Sequence, residues 1–237
     1  MEDAGAIYAV GDIHGCLDEF ERVLARIRTD AAARCLTRPT LVVLGDVIDR
    51  GPQSREVIEM LMGDALRAEF GLVVLRGNHE QMLVDGATDW RTAELWLHNG
   101  GAETIESYGV AIGGKAPRRF LREFYLEALP EAHRLWMAEL PLTHRVGRWL
   151  FVHAGVNPDR PLAKQRPADL LWIRDRFLDH AGGYPGGVKV VHGHTPDLQV
   201  AITPHRVGLD TGCGGDGWLS AVGIVGDDVH VVSGLPW

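Results

Sequence analysis

Two Gly-Asp pairs lie in the first fifty residues, each after a short apolar run: Gly11-Asp12-Ile13-His14-Gly15 and Gly45-Asp46-Val47-Ile48-Asp49-Arg50-Gly51. Three related clusters follow, Gly77-Asn78-His79-Glu80, His153-Ala154-Gly155 and Gly193-His194. Taken singly each is weak. Gly-Asp after a strand is most often a turn, and a lone histidine such as His153 is most often a hydrogen-bonded structural residue. Together they supply carboxylate, imidazole and carboxamide, a donor set that suits Mn²⁺, Fe or Zn²⁺ better than Ca²⁺. Two such ions about 3.5–4 Å apart can clamp a phosphoryl group. One carboxylate must lie between them to offset their repulsion, and Asp46 is the candidate. Asp12 and His14 would complete the ligands of one ion, and Asn78, His153 and His194 those of the other. Water and substrate oxygens would fill the open positions.

Other residue types at the same clusters suit the rest of a phosphoryl transfer. Arg50 directly follows Asp49, and a guanidinium can grip two phosphate oxygens at once. Arg174, in Leu171-Trp172-Ile173-Arg174, is a second candidate, and Asn78 is within reach of the same phosphate. His79 is beside the expected ligand Asn78. An imidazolium oriented and charge-stabilised by Asp49 would be a general acid for the leaving oxygen. His192, one residue before Gly193-His194, reads as a strand residue facing away, because successive strand side chains alternate.

The elements that must position these residues are legible as short apolar runs. Ala6–Val10, Leu41–Leu44 and Leu72–Leu75 read as buried strands, each ending at a cluster. Helical spacing predicts helices over Leu17–Arg28 and Ser54–Met62. Strands alternating with helices indicate α/β layering with parallel strands, and ligands in such sheets collect beyond the carboxyl ends of the strands. Glu80–Gly101 and Arg118–Leu140 read as a helical insertion. Trp149–Val152 and Lys189–Val191 are further strands. The remainder, with short strands at Gln199–Thr203, Arg206–Leu209, Leu219–Val225 and Val229–Val232, reads as antiparallel. No linker-like tract divides the 237 residues, so residues 1–237 read as one domain.

Bulk properties narrow the function classes. The formal net charge is −8, with no run of lysine and arginine, which argues against nucleic acid or an anionic membrane as partner. No apolar stretch approaches the roughly 20 residues of a membrane span. The three cysteines, Cys16, Cys35 and Cys213, are odd in number and widely spaced, which fits free thiols in a reducing compartment. The expected location is cytoplasmic.

The pattern GDxHG, GDxxDRG, GNHE, HAG and a final GH resembles, residue by residue, the phosphoprotein phosphatases of the metallophosphoesterase superfamily, above all their compact bacterial and phage members. The likeness extends to Leu171–Arg174, Gly193-His194-Thr195-Pro196 and Leu209-Asp210-Thr211-Gly212. It implies a sandwich of two mixed β-sheets flanked by helices, and two divalent ions, commonly Mn²⁺. The first ion would be held by Asp12, His14 and Asp46, the second by Asp46, Asn78, His153 and His194. It further implies in-line attack by a metal-bridging hydroxide, His79 with Asp49 as the acid, and Arg50 and Arg174 on the phosphate. Many diesterases of the superfamily end in GHxH, whereas here the last position is Pro196. Symmetrical dinucleoside tetraphosphate hydrolases are similar too, but typically lack the Asp before Arg-Gly and carry GNHD. With Asp49 and Glu80, the expected reaction is phosphomonoester hydrolysis on phosphoserine and phosphothreonine proteins or a small phosphomonoester. Hydrolysis of dinucleoside polyphosphates or nucleotides is the alternative. An inactive binding scaffold is the third reading, but its expected mark, a missing metal or acid residue, is not found.

Overall fold

A computed structural model describes residues 6–111 and 128–234. Two five-stranded mixed sheets face each other. The first has the order β10-β9-β1-β2-β3, built from β1 (Ile7–Val10), β2 (Thr40–Val43), β3 (Gly71–Val74), β9 (Ala221–Val225) and β10 (Asp228–Ser233). The second has the order β4-β5-β6-β8-β7, from β4 (Thr143–Val146), β5 (Trp149–Val152), β6 (Lys189–His192), β7 (Ala201–Ile202) and β8 (Arg206–Gly208). In the first sheet β1, β2 and β3 are parallel; in the second β5, β6 and β8 are parallel.

Side-chain alternation makes three apolar layers. Ile7, Ala9, Val42 and Leu44 meet Trp149, Phe151, Val191 and Val207 between the sheets. The residues one step along, Tyr8, Val10, Leu41 and Val43, face α1 (Leu17–Ala33), α2 (Ser54–Met62) and α3 (Asp64–Glu69) in a cluster with Phe20, Val23, Ile27, Val57, Leu61 and Leu66. On the outer side of the second sheet, Leu150, Val152 and Val190 pack on Leu170 and Phe177. Each fully buried aliphatic side chain contributes about 1.5–3 kcal/mol over an exposed one, so both sheets are anchored on both faces near the site.

The expected α/β sandwich is present, with two differences. The C-terminal part is not wholly antiparallel, because β8 pairs parallel with β6. The continuous helix expected over Glu80–Gly101 is broken into α4 (Asn78–Gly86), α5 (Trp90–Trp96) and a π-turn at Leu97–Gly101, after which α6 runs Ala102–Ser107. Asp89 caps α5 by accepting from the Arg91 amide at 3.2 Å, and Gly100 has φ 105°, which interrupts helical geometry. Of the helix expected over Arg118–Leu140, residues 118–127 lie outside the described residues, and the described part holds a helix at Glu131–Glu139. Among the described residues no helix is long and apolar enough to cross a membrane.

Candidate active site

Six parallel strands deliver polar residues to one crevice from their carboxyl ends. Asp12 follows β1, Asp46 follows β2, Asn78 follows β3, His153 follows β5, His194 follows β6 and Asp210 follows β8. Asp12, His14, Asp46, Asn78, His153 and His194 are all buried. The crevice, about 170 Å³, is lined by Asp12, His14, Asp46, Asn78 and His194 together with Arg50, His79 and Arg174. Asn99, Trp172, Pro196 and Asp210 complete its wall. A larger hollow of about 560 Å³ beside α1 offers one carboxylate, Asp30, already bonded to Tyr8, Arg34 and His230.

Hydrogen bonds fix the tautomers that a metal would need. His14 Nδ1 is 2.9 Å from the Ile48 carbonyl and His153 Nδ1 is 2.9 Å from that of Leu44. A carbonyl only accepts, so both rings carry their proton on Nδ1 and leave Nε2 free as a ligand atom. Asn78 Oδ1 is 2.8 Å from both His153 Nε2 and His194 Nδ1. Two groups of ligand atoms lie within 4.8 Å of one another: His14, Asp46 and His79 in one, Asp46, His153 and His194 in the other. Asp46 belongs to both, as a bridging carboxylate must. Asp12 Oδ1 and His194 Nε2 are buried without any hydrogen-bond partner, which is costly in a folded protein unless a cation completes them. This donor set fits a dinuclear centre.

The charge balance agrees. Burial, reinforced by the neighbouring carboxylates Asp210 and Asp46, pushes the Asp12 carboxyl well above its ordinary range. Burial likewise holds His14 and His194 neutral, with pKa about 3, the form in which imidazole binds a metal. His79 behaves differently. Burial opposes its charge, but Asp46 and the hydrogen-bonded Asp49 outweigh it and raise the pKa to about 9. Its proximity to His14 and Asp46 would permit ligation through Nε2, but its other ring nitrogen is held by a carboxylate outside both ligand groups. Its Nδ1 is 2.6 Å from Asp49 Oδ2, and Nε2 faces the crevice, 3.4 Å from Arg50 Nη2.

The loops carrying these groups are strained. His14, Asp46, Asp49, Arg50 and His194 all have positive φ, between 46° and 76°. Such conformations cost about 1–3 kcal/mol each and persist because the surrounding bonds over-determine them. Glu80 is the main clamp on the second loop. Its carboxylate accepts from the amides of Asp46 at 2.9 Å, Val47 at 2.8 Å and Gly77 at 2.8 Å. An aspartate would be one methylene shorter, so the GNHE signature bears on loop packing here rather than on the leaving group. Gly193 allows a close approach: a Cβ there would collide with Asp12 Oδ1. Gly193→Ala should lower the metal content and cost about 1–3 kcal/mol of stability. Metal analysis and denaturant unfolding check this, and unchanged values in both would show that the approach is not needed.

Arg50 and Arg174 both line the crevice, and Arg174 Nη1 donates to Thr195 Oγ1 at 3.2 Å. His192 points away: it packs edge-on to Phe177, and Arg206 Nη1 donates to its Nε2 at 3.4 Å. Sequence reasoning missed Asp210 as a member of the wall, although its place just after β8 repeats the strand-end pattern. It also missed the partners of Asp49, Trp96 and Thr104, which approach from 47 and 55 residues away with no local signal.

The profile of the calcineurin-like phosphoesterases matches residues 5–221, which spans every one of these groups. The chain belongs to the calcineurin-like phosphoesterases. Serine/threonine-protein phosphatase 1 of Salmonella typhimurium is 31% identical to this phosphoesterase over 80% of the chain and 78% of the relative. The symmetrical bis(5'-nucleosyl)-tetraphosphatase of Acidovorax ebreus is 30% identical over 86% of the chain, which spans only 61% of that enzyme's length. Further relatives at similar identity are mostly symmetrical tetraphosphatases. A solved structure provisionally assigned as a diadenosine tetraphosphatase superposes with TM-score 0.68, 23% identity and coverage of 100% of this chain and 96% of that one. This phosphoesterase is therefore metal-dependent, and the relatives named above divide between two substrate classes.

Proposed function

We propose that this phosphoesterase hydrolyses the phosphoanhydride chain of dinucleoside polyphosphates. The observation that carries the reading is the composition of the crevice wall. Two guanidiniums, Arg50 and Arg174, flank the His/Asp cluster, and Trp172 stands at the rim, 43% exposed and edge-on to His194. A run of phosphates needs more than one cationic partner, and an exposed indole beside it offers a stacking face to a nucleobase. The weight of relatives named as tetraphosphatases points the same way and departs from the protein-phosphatase expectation drawn from Asp49 and Glu80.

In this reading Asp12, His14 and Asp46 hold one ion, and Asp46, Asn78, His153 and His194 the other. When bound, two divalent cations would draw charge from the phosphoryl oxygens and make water a stronger nucleophile. Arg50, Arg174 and the Asn78 carboxamide orient the phosphoryl oxygens. The amino end of α4, which begins at Asn78, adds a favourable field for an anion. His79 gives the proton on Nε2 to the departing oxygen while Asp49 keeps the ring in place.

A second reading, a serine/threonine protein phosphatase, is favoured by one feature. The Asp49–His79 pair can protonate an alkoxide, a far poorer leaving group than a nucleoside phosphate, and the Salmonella relative carries that name. With Mn²⁺ protein, kcat/KM on diadenosine tetraphosphate should exceed that on a phosphoserine peptide by roughly tenfold or more, a 1.4 kcal/mol preference at the transition state. The reverse order would overturn the polyphosphate reading in favour of the second.

A further inference from the structure

The broken helical stretch between Trp90 and Ser107 closes over the back of Asp49, which is fully buried. A carboxylate has two oxygens and a soft terminal torsion, so pairing with His79 does not by itself decide which oxygen meets the ring. Here Oδ1 takes two donors, the indole Nε1–H of Trp96 at 3.0 Å and the hydroxyl of Thr104 at 2.7 Å. Oδ2 is left to His79 Nδ1 at 2.6 Å. Thr104 binds Asp49 at both ends, because its Oγ1 also accepts from the Asp49 amide at 2.9 Å. This pairing holds Asp49 at φ 76°, in the left-handed region. Next along the chain, the Arg50 amide donates to the Gly100 carbonyl at 3.1 Å. Neither Thr104 nor Trp96 lines the crevice.

We propose that Thr104 and Trp96 are positioning residues for protonation of the leaving group: by occupying Oδ1 of Asp49 they commit Oδ2 to His79 and aim Nε2 at the crevice. The inference rests on His79 being the acid. Loosening Asp49 lets the imidazole turn, and the penalty falls on esters whose leaving oxygen needs a proton, not on those that depart unaided. Thr104→Val keeps the shape of the side chain and removes the hydroxyl. The Asp49 amide retains Ser54 Oγ at 3.0 Å as acceptor.

The test compares the Mn²⁺ protein and its variants on phenyl phosphate and on p-nitrophenyl phosphate, whose leaving group departs readily. Thr104→Val should lower kcat on phenyl phosphate about tenfold, the effect of one lost hydrogen bond of about 1.4 kcal/mol. On p-nitrophenyl phosphate the change should stay below about twofold, with KM and metal content unchanged. Thr104→Ser should restore the rate. Trp96→Phe should repeat the leaving-group selectivity if Thr104→Val does not fold. His79→Asn is run beside them. If it shows the selectivity and the Thr104 and Trp96 variants slow both esters equally or neither, the acid stands and the inference is wrong. If His79→Asn itself shows no selectivity, the acid reading fails first.

Discussion

Asp46→Asn is expected to cut kcat/KM by roughly a thousandfold or more, because two-cation stabilisation of the transferring phosphoryl group is worth several kcal/mol. The carboxylate is the only group common to both ligand clusters among the described residues. An asparagine keeps the oxygen that accepts from the His79 amide at 3.0 Å. It replaces the other, 3.4 Å from His153 Nε2 and 3.7 Å from His14 Nε2, with an amide nitrogen that cannot ligate a cation. The second measurement is thermal. A ligand that binds only the folded state raises the melting temperature, so added Mn²⁺ should stabilise the natural protein and leave the variant almost unmoved. A variant that still held two ions per chain and was stabilised equally by Mn²⁺ would remove Asp46 from the bridge.

His79→Asn should lower kcat by about 10²–10⁴-fold on an ester with an alkoxide-like leaving group, the usual worth of a positioned acid. Metal content should not change. The distinction matters because His79 lies within ligand distance of His14 and Asp46. Its Nδ1 is committed to Asp49, a carboxylate outside both ligand groups, which suits an acid better than a ligand. Loss of one ion in the variant would instead place His79 among the ligands and leave Asp49 as its orienting partner.

The candidate ligand set was readable because each donor follows a short buried run closed by a small residue. Asp12, Asp46, Asn78, His153 and His194 all sit just past a parallel strand, where backbone geometry sends side chains to one edge. Strand limits shift by only a residue or two from the apolar runs. What was not readable depends on distant partners. Thr143-His144-Arg145-Val146 forms the edge strand β4, yet its polar alternation carries no signal of burial. β8 forms the expected antiparallel pair with β7, but three residues cannot reveal that its other neighbour in the sheet is the parallel strand β6. Trp96 and Thr104 read as ordinary helical residues until the fold brings them to Asp49. Glu80 likewise serves the loop, and in the proposed reading Asp49 would widen the range of leaving groups rather than narrow it.

The clamp at Glu80 has a chemical counterpart. Consecutive main-chain N–H groups that converge on one point form a nest, the concavity in which many proteins seat a phosphate. Asp46, Val47 and Ile48 present such a set, with Glu80 Oε1 at 2.8 Å and 3.3 Å from the last two. The protein has filled its own nest with an internal anion. Free phosphate therefore finds no cradle behind the second loop, and an oxyanion entering the crevice is left with the guanidiniums and cations on the open side. Binding of an added oxyanion would thus fall to Arg50, Arg174, Asn78 and the ions, on the open side of the crevice.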